Sequence, residues 1–278
     1  MSEAWSLIRE RMAESSVSWS ALVLAMHPDH ALLSVAPGRI LKSASLAKIL
    51  VLAEAAAQIG RGELSAGEML LRDPELKVAD SGIWQYLDVD SLTVRDVAAL
   101  VGITSDNWAT NILLQRIGGP QRLASAMLAQ GVKDVQLHDR VRDVRNADHP
   151  ATLSEGSAAG YASLIRALWS GGFMSAGTSA RVMDWLRDGV DLSMVASAFG
   201  LDPLAHSQPD RGITLVNKTG TDTGVRADVG VVSLSARAVC YAVLANWSVG
   251  DERGDVRDEV LAIMREIGQA IRCSLREG

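Results

Sequence analysis

The chain has 278 residues, 48% hydrophobic and 22% charged, ordinary values for a folded globular protein and long enough for a sizeable buried core. Its net charge of −6, with no basic run and no stripe of interleaved aromatics, argues against nucleic acid or an anionic membrane as partner. No stretch approaches the length of a membrane span, and Glu3, Arg9, Glu10 and Arg11 put charge where a secretory peptide needs its apolar centre, so as written the chain is expected in the cytoplasm.

Residues 3–14 read as an amphipathic helix, followed by strand-like runs at Ser18–Met26 and Ala31–Ala36 with Pro28 and Asp29 in the turn between them. From Ser43 the pattern turns helical, with Leu46, Ile49, Leu50 and Ala53 on one face. Further helices are predicted at about 92–103, 106–117, 120–129, 155–169, 177–187 and 191–199. The segment 130–154 is polar and rich in Asp and Arg, and its length predicts a functional loop rather than a linker. Gly212–Thr219, Arg226–Ser235 and Ala238–Ala245 read as three consecutive strands, and a helix from about 252 to 275 closes the chain. Strands at both ends and helices between them predict that the two ends share one sheet. Cys240 and Cys273 fall in the last predicted strand and the last helix, where two buried, reduced thiols are expected rather than a disulfide.

Only five of the twenty-seven basic side chains are lysines, and two of these sit in short motifs. Lysine, unlike arginine, can lose its proton when buried, so chemistry that needs a neutral amine cannot use arginine instead. Ser45-Leu46-Ala47-Lys48 places a hydroxyl and an amine three residues apart on a predicted helix, where they share a face. Ser45 lies near the helix start, where backbone N–H groups favour developing negative charge. A neutral Lys48, its pKa lowered by burial and by a second cation such as Lys218, could take the serine proton. Ser105-Asp106-Asn107 stands at a helix entrance, where Ser or Asp also suits an N-cap. Lys218-Thr219-Gly220 ends a predicted strand. Each motif alone has a plain structural explanation; their order and separation together point to a serine nucleophile activated by lysine.

In these three motifs, and in Ser91–Leu100 leading into Ser105, the chain resembles the class A β-lactamases and penicillin-binding proteins over nearly its whole length. The resemblance implies an α/β (α+β) fold, with a five-stranded antiparallel sheet flanked by helices and an inserted, mostly helical domain. The sheet domain would comprise 1–42 and 190–278 and the helical domain 43–189, with the loop at about 130–154 bordering the site in the crevice between them. It also implies that Ser45 is acylated, that Lys48 is its base or proton relay, and that Ser105 shuttles the proton to the leaving nitrogen. Asn107 would hold a substrate amide, Lys218 and Thr219 would face the substrate carboxylate, and the backbone N–H groups of Ser45 and Thr221 would form the oxyanion hole. Arg226 could reach the same carboxylate or lie on the strand-edge surface.

One departure stands out. The family's deacylating glutamate belongs to a pattern similar to Asp-Arg-x-Glu-x-x-Leu-Asn, and the matching stretch here is Asp139-Arg140-Val141-Arg142-Asp143-Val144-Arg145-Asn146, with Arg142 in the glutamate position. Asp143 is one residue away and is the alternative base. Arg142 could favour a neutral Lys48, bind a second substrate anion, or pair with Asp139 or Asp143 at the surface. Loss of a positioned base removes about 10²–10⁴ in rate, so release of the acyl group to water is expected to be slow. His138 and His149 lie in this loop, but no cluster has metal-ligand spacing, and neither metal nor cofactor is expected. The chain is thus expected to be a serine hydrolase that is acylated by β-lactams or related amides and esters. The alternatives are a cytoplasmic transacylase that passes the acyl group to an amine, and a β-lactam-binding protein without turnover.

Overall fold

A computed structural model describes residues 3–206, 208–250 and 256–276. In chain order the elements are α1 (Glu3–Glu14), β1 (Ser18–Met26), β2 (Asp29–Val35), β3 (Leu41–Lys42), a 3₁₀ turn (Ala44–Ala47), α2 (Lys48–Arg61), β4 (Met69–Leu71), β5 (Ser91–Thr93), α3 (Val94–Ile103), α4 (Asn107–Arg116) and α5 (Gly119–Ala129). They continue with β6 (Val135–Leu137), β7 (Ser154–Gly156), α6 (Ala158–Trp169), α7 (Ala176–Arg187), a second 3₁₀ turn (Val195–Phe199), β8 (Ile213–Asp222), β9 (Val225–Leu234), β10 (Arg237–Asn246) and α8 (Arg257–Arg276).

Five strands form one antiparallel sheet in the order β2-β1-β10-β9-β8, so both ends of the chain build it, as the sequence predicts. Both faces of the sheet are covered, which is why Ala238–Ala245 of β10 reads as an unbroken apolar run rather than an alternating one. Along β10, Val239, Tyr241, Val243 and Ala245 face α1 and α8, while Cys240, Ala242 and Leu244 face a core shared with α2 and α6. α2 runs through the middle of that second core. Every residue from Lys48 to Gln58 is buried, and with only Lys48, Glu54 and Gln58 polar among them the helix belongs in an interior. Strand β8 ends the sheet, leaving the edge that carries Lys218–Thr221 for the site.

Several expectations change in detail. Ser45 lies in a 3₁₀ turn that precedes α2 rather than in the α-helix itself. The helix expected at 191–199 is a 3₁₀ turn of five residues, because Asp191 captures the N–H and hydroxyl of Ser193 and leads the chain into a turn instead. The segment 130–154 contains β6 and, at its end, the start of β7; β7 pairs with β6 on one side and with β3 on the other. Cys240 is buried but Cys273 is exposed, so only the first matches the buried thiol expected; both are free. Residues 252–255 of the predicted last helix lie outside the described residues. Among the described residues, no helix is long and apolar enough to cross a membrane.

Candidate active site

The turn that carries Ser45 is pinned from beneath. The Tyr161 hydroxyl donates to Ser43 Oγ at 2.7 Å, Ser43 Oγ and Ser154 Oγ lie 2.9 Å apart, and Ser154 Oγ donates to Ala44 O at 2.6 Å. All three side chains are buried, and Ala44 is held at a φ of 49°, a left-handed conformation that a non-glycine residue adopts only when its surroundings impose it. As the second residue of the turn, Ser45 has no partner within it for its N–H. Half-buried Ser45 lines the cavity described below.

Lys48 opens α2 and is fully buried. Its Nζ donates to Ser105 O at 2.6 Å, to Asn107 Oδ1 at 2.7 Å and to Ser105 Oγ at 3.2 Å, so all three ammonium protons have acceptors. Burial, foremost, and then the charge of Lys218 push its pKa well below the ordinary lysine value, against the opposing pull of Asp106 and Asp80. An amine that gives up one proton needs only two acceptors. It can keep the two short bonds and release the long one to Ser105 Oγ, which frees a lone pair.

Ser105-Asp106-Asn107 joins α3 to α4. Asp106 is the N-cap of α4, with Oδ1 accepting from Ala109 N at 2.9 Å. Its Oδ2 accepts from Ile83 N and Trp84 N, both at 2.8 Å, which ties the segment 79–84 to the motif. Gly82 is required there: a Cβ would come within 2.3 Å of the Asp106 carboxyl, and its φ is 119°. The cap therefore belongs to Asp106, and Ser105 stands just outside the helix at a φ of 54°. Asn107 Nδ2 donates to Ala79 O at 3.2 Å while its Oδ1 holds Lys48.

On β8, Lys218 Nζ donates to Ser105 Oγ and to Thr219 O, both at 2.9 Å. Ser105 Oγ thus accepts from two buried lysines, and its own proton is left to point elsewhere. Burial pushes the Lys218 pKa down to about 8, against the charges of Asp191 and Asp228. The glycine of this motif has a steric reason: a Cβ on Gly220 would lie 2.3 Å from Ser43 O and 3.2 Å from Ser45 N. Its absence lets the strand edge close directly on the serine turn, bringing Thr221 to the same cavity.

The loop is anchored to α4 by Asn111, which accepts from Val141 N at 2.8 Å and donates to Val141 O at 3.0 Å. Asp139 accepts from Arg140 N at 2.8 Å, Arg142 Nε at 2.6 Å and Nη2 at 3.1 Å, and Arg145 Nη1 at 2.7 Å. Burial raises its pKa, but these donors outweigh that and hold it below the usual carboxylate value. Arg142 therefore pairs with Asp139, yet it lines the cavity rather than simply facing solvent. Asp143 accepts from Ala79 N at 2.9 Å.

One cavity of about 460 Å³ brings together Ser45, Ser105, Asn107, Arg142, Lys218, Thr219 and Thr221, with Lys48 buried beneath its floor. Arg226 is not among its lining residues: its guanidinium donates to Asp222 O and Val225 O and stacks 5.9 Å from the Trp247 ring centre, the strand-edge alternative. Lys48 Nζ meets Ser105 and Asn107, and no hydrogen bond to Ser45 Oγ forms among the described residues. Sequence reasoning missed Asp228. This fully buried carboxylate accepts from Asn217 Nδ2 at 3.1 Å, Tyr241 OH at 3.3 Å and Ala196 N at 3.3 Å, and burial pushes its pKa up to about 7. Through Asn217, which also donates to Asp191 O at 3.3 Å, it supports the cavity wall next to Lys218. The available signal was a lone acidic residue within the mostly apolar run Ala227–Val232.

Comparison with known proteins identifies the family and the fold. Residues 4–274 match the family described as the beta-lactamase enzyme family. A protein from Rhodobacter capsulatus named "Beta-lactamase" is 25% identical over 227 residues, which cover 76% of this chain and 70% of that protein. A PBP-A mutant, solved as an acyl-enzyme complex with penicillin G, superimposes with a TM-score of 0.81 at 19% identity, covering 99% of this chain and 97% of that one. A beta-lactamase from Sphaerobacter thermophilus gives a TM-score of 0.79 at 20% identity, covering 98% and 96%. At such identities the structural likeness speaks to the fold, and it matches the sheet and helices described above. With the family match spanning almost its whole length, the chain belongs to the beta-lactamase enzyme family.

Proposed function

We propose that this protein is a serine acyl-enzyme hydrolase that is acylated on Ser45 by β-lactams or related amides and esters and releases the acyl group slowly. The observation that carries the proposal is the placement of Ser105 Oγ 3.2 Å from Lys48 Nζ and 2.9 Å from Lys218 Nζ, in the cavity that Ser45 also lines. Neutral Lys48 takes the proton of Ser45 as Oγ bonds to the substrate carbonyl carbon. The N–H groups of Ser45 and Thr221 receive the developing oxyanion, a contribution of about 3–4 kcal/mol per donor. The carbon–nitrogen bond then breaks, and the nitrogen takes the Ser105 hydroxyl proton, which Lys48 replaces. Asn107 holds the substrate amide, and Lys218 with Thr219 holds its carboxylate.

Slow release follows from the loop. Arg142 cannot serve as a base, Asp139 already accepts four hydrogen bonds, and Asp143 is bound to Ala79 N. Without a poised carboxylate for water, an amine acceptor is the natural rival, and a permanent adduct is the limit of the same behaviour. Intact-mass spectrometry with benzylpenicillin tests the proposal. An adduct on the wild type that is absent from Ser45→Ala is expected; the same adduct on both proteins would overturn the assignment of the nucleophile.

A further inference from the structure

The cavity has two cationic walls of different origin. Lys218 and Thr219 belong to the strand edge, and Arg142 and Arg145 belong to the loop. The acyl-enzyme chemistry gives Arg142 no task, yet its placement is specific. Its side chain is only 22% exposed, and Asn111 fixes the backbone beside it.

Hydrogen-bond accounting shows what this arginine lacks. A guanidinium carries five N–H bonds. Arg142 uses Nε and one bond of Nη2 on Asp139, and it makes no other hydrogen bond among the described residues. Asp139 is saturated by four donors and shares its single charge between two arginines. Arg145 is further occupied by Pro150 O at 3.1 Å and Arg140 O at 3.2 Å. Three N–H bonds of Arg142 are thus left, on a side chain that lines the cavity. The acidic residues of the same cavity do not meet this need. Asp143 and Asp80 are exposed, so solvent screens them, and Asp143 already serves Ala79 N. Asp191 accepts from Ser193 and Asp222 from Thr223.

Resting on the acyl-enzyme chemistry proposed above, we infer that Arg142 forms a second anion subsite, which takes a carboxylate separate from the one held by Lys218. A carboxylate fits best because its two oxygens match the guanidinium fork and each hydrogen bond is strengthened by charge. The carboxylate has two possible sources: the side chain of the acyl donor, or the amine that removes the acyl group. The cavity would then prefer either a donor with two carboxylates, one at each wall, or an amino acid as acceptor. Asp139 and Arg145 are positioning residues for this subsite, holding the Arg142 guanidinium by one edge so that the other faces the cavity.

Two matched pairs of probes separate the sources. For the donor, acylation rates are compared for benzylpenicillin and its α-carboxy derivative, which differ by one carboxylate on the side chain. For the acceptor, release of the benzylpenicilloyl group is compared for glycine and glycinamide at equal free-amine concentration. At least one pair is expected to favour the extra carboxylate by about tenfold or more in the wild type, the scale of one charged hydrogen-bonding contact. Arg142→Gln should erase that preference and Arg142→Lys should retain part of it. A preference in the first pair assigns the subsite to the donor, and one in the second assigns it to the acceptor. If Ser45 is acylated and neither pair shows a wild-type preference, the second subsite is overturned while the acyl-enzyme proposal stands. A preference unchanged in Arg142→Gln also overturns it. If neither penicillin forms an adduct on Ser45, the acyl-enzyme proposal fails, and this inference fails with it.

Discussion

Two walls of one cavity are built by different means. Ser45, Lys48, Ser105 and Lys218 come from a 3₁₀ turn, a helix start, an interhelical junction and a strand, separated by up to 173 positions in sequence, yet Lys48, Ser105 and Lys218 meet in one hydrogen-bonded cluster at the cavity that Ser45 also lines. Arg142, Asp143 and Arg145 come from one irregular stretch, held by ion pairs and by the side chain of Asn111. The first wall is set by the fold itself, since moving any of its members means moving a helix or a strand. The second is set by side chains on a loop, so its chemistry can change without disturbing the sheet. Under the proposed function, this division puts the acylation machinery on rigid elements and leaves the fate of the acyl group to a loop.

The largest effect that would break the comparison lies on the rigid wall. Lys48→Arg keeps a positive charge but removes the base, and its longer fork has no room in a fully buried site. Acylation by benzylpenicillin, followed by stopped-flow, should slow by about 10²–10⁴. A wild-type rate in this variant would remove lysine from the base role. Next comes Gly220→Ala, which places a methyl group against Ser43 O and Ser45 N and so forces the β8 edge away from the serine turn. If Thr221 N–H and Ser45 N–H together form the oxyanion site as proposed, acylation should fall by about 10²–10³, the cost of one misplaced oxyanion donor. Unchanged acylation would mean the strand edge does not form the oxyanion site.

A smaller effect is the response to pH. The proposed acylation needs Lys48 neutral and Lys218 charged. Both pKa values are lowered by burial, that of Lys218 to about 8, while Lys48 lies well below its ordinary value. As pH rises through the Lys48 value the neutral amine gains population and the rate increases. Above about 8, Lys218 loses its proton and its hold on the substrate carboxylate, so kcat/KM for acylation should fall. Lys218→Arg, which keeps its charge, should shift that fall to higher pH. An identical basic limb in both proteins would assign it to another group.

The rigid wall was largely legible in the sequence, and the loop wall much less so. Strand β1 was predicted at its observed bounds, and helices α3, α4 and α7 to within two residues, because each packs a sizeable apolar surface and carries that pattern along its length. The motif residues could be read because lysine is rare in this chain, and their meeting follows from the topology. The 3₁₀ turn at Ser45 could not be separated from the helix it leads into, since a spacing of three suits both. Strands β6 and β7 have three residues each, too few for any period to register. The pairing of Arg142 with Asp139 was one of several options at the sequence level, because ion pairs on a loop depend on side-chain directions that no periodicity encodes. Asp228 was missed since its partners, Asn217, Tyr241 and Ala196, lie in three separate segments.

Pre-steady-state turnover of a chromogenic cephalosporin tests the division between fast acylation and slow release most directly. The wild type should show a burst of about one equivalent per active site, followed by a steady rate about 10² or more slower, reflecting a missing general base. In Arg142→Glu the burst should persist while the steady rate rises, since a carboxylate on that wall can take a proton from water. A wild-type trace without a burst, with rapid turnover limited by acylation, would contradict the account and show that the loop wall already activates water.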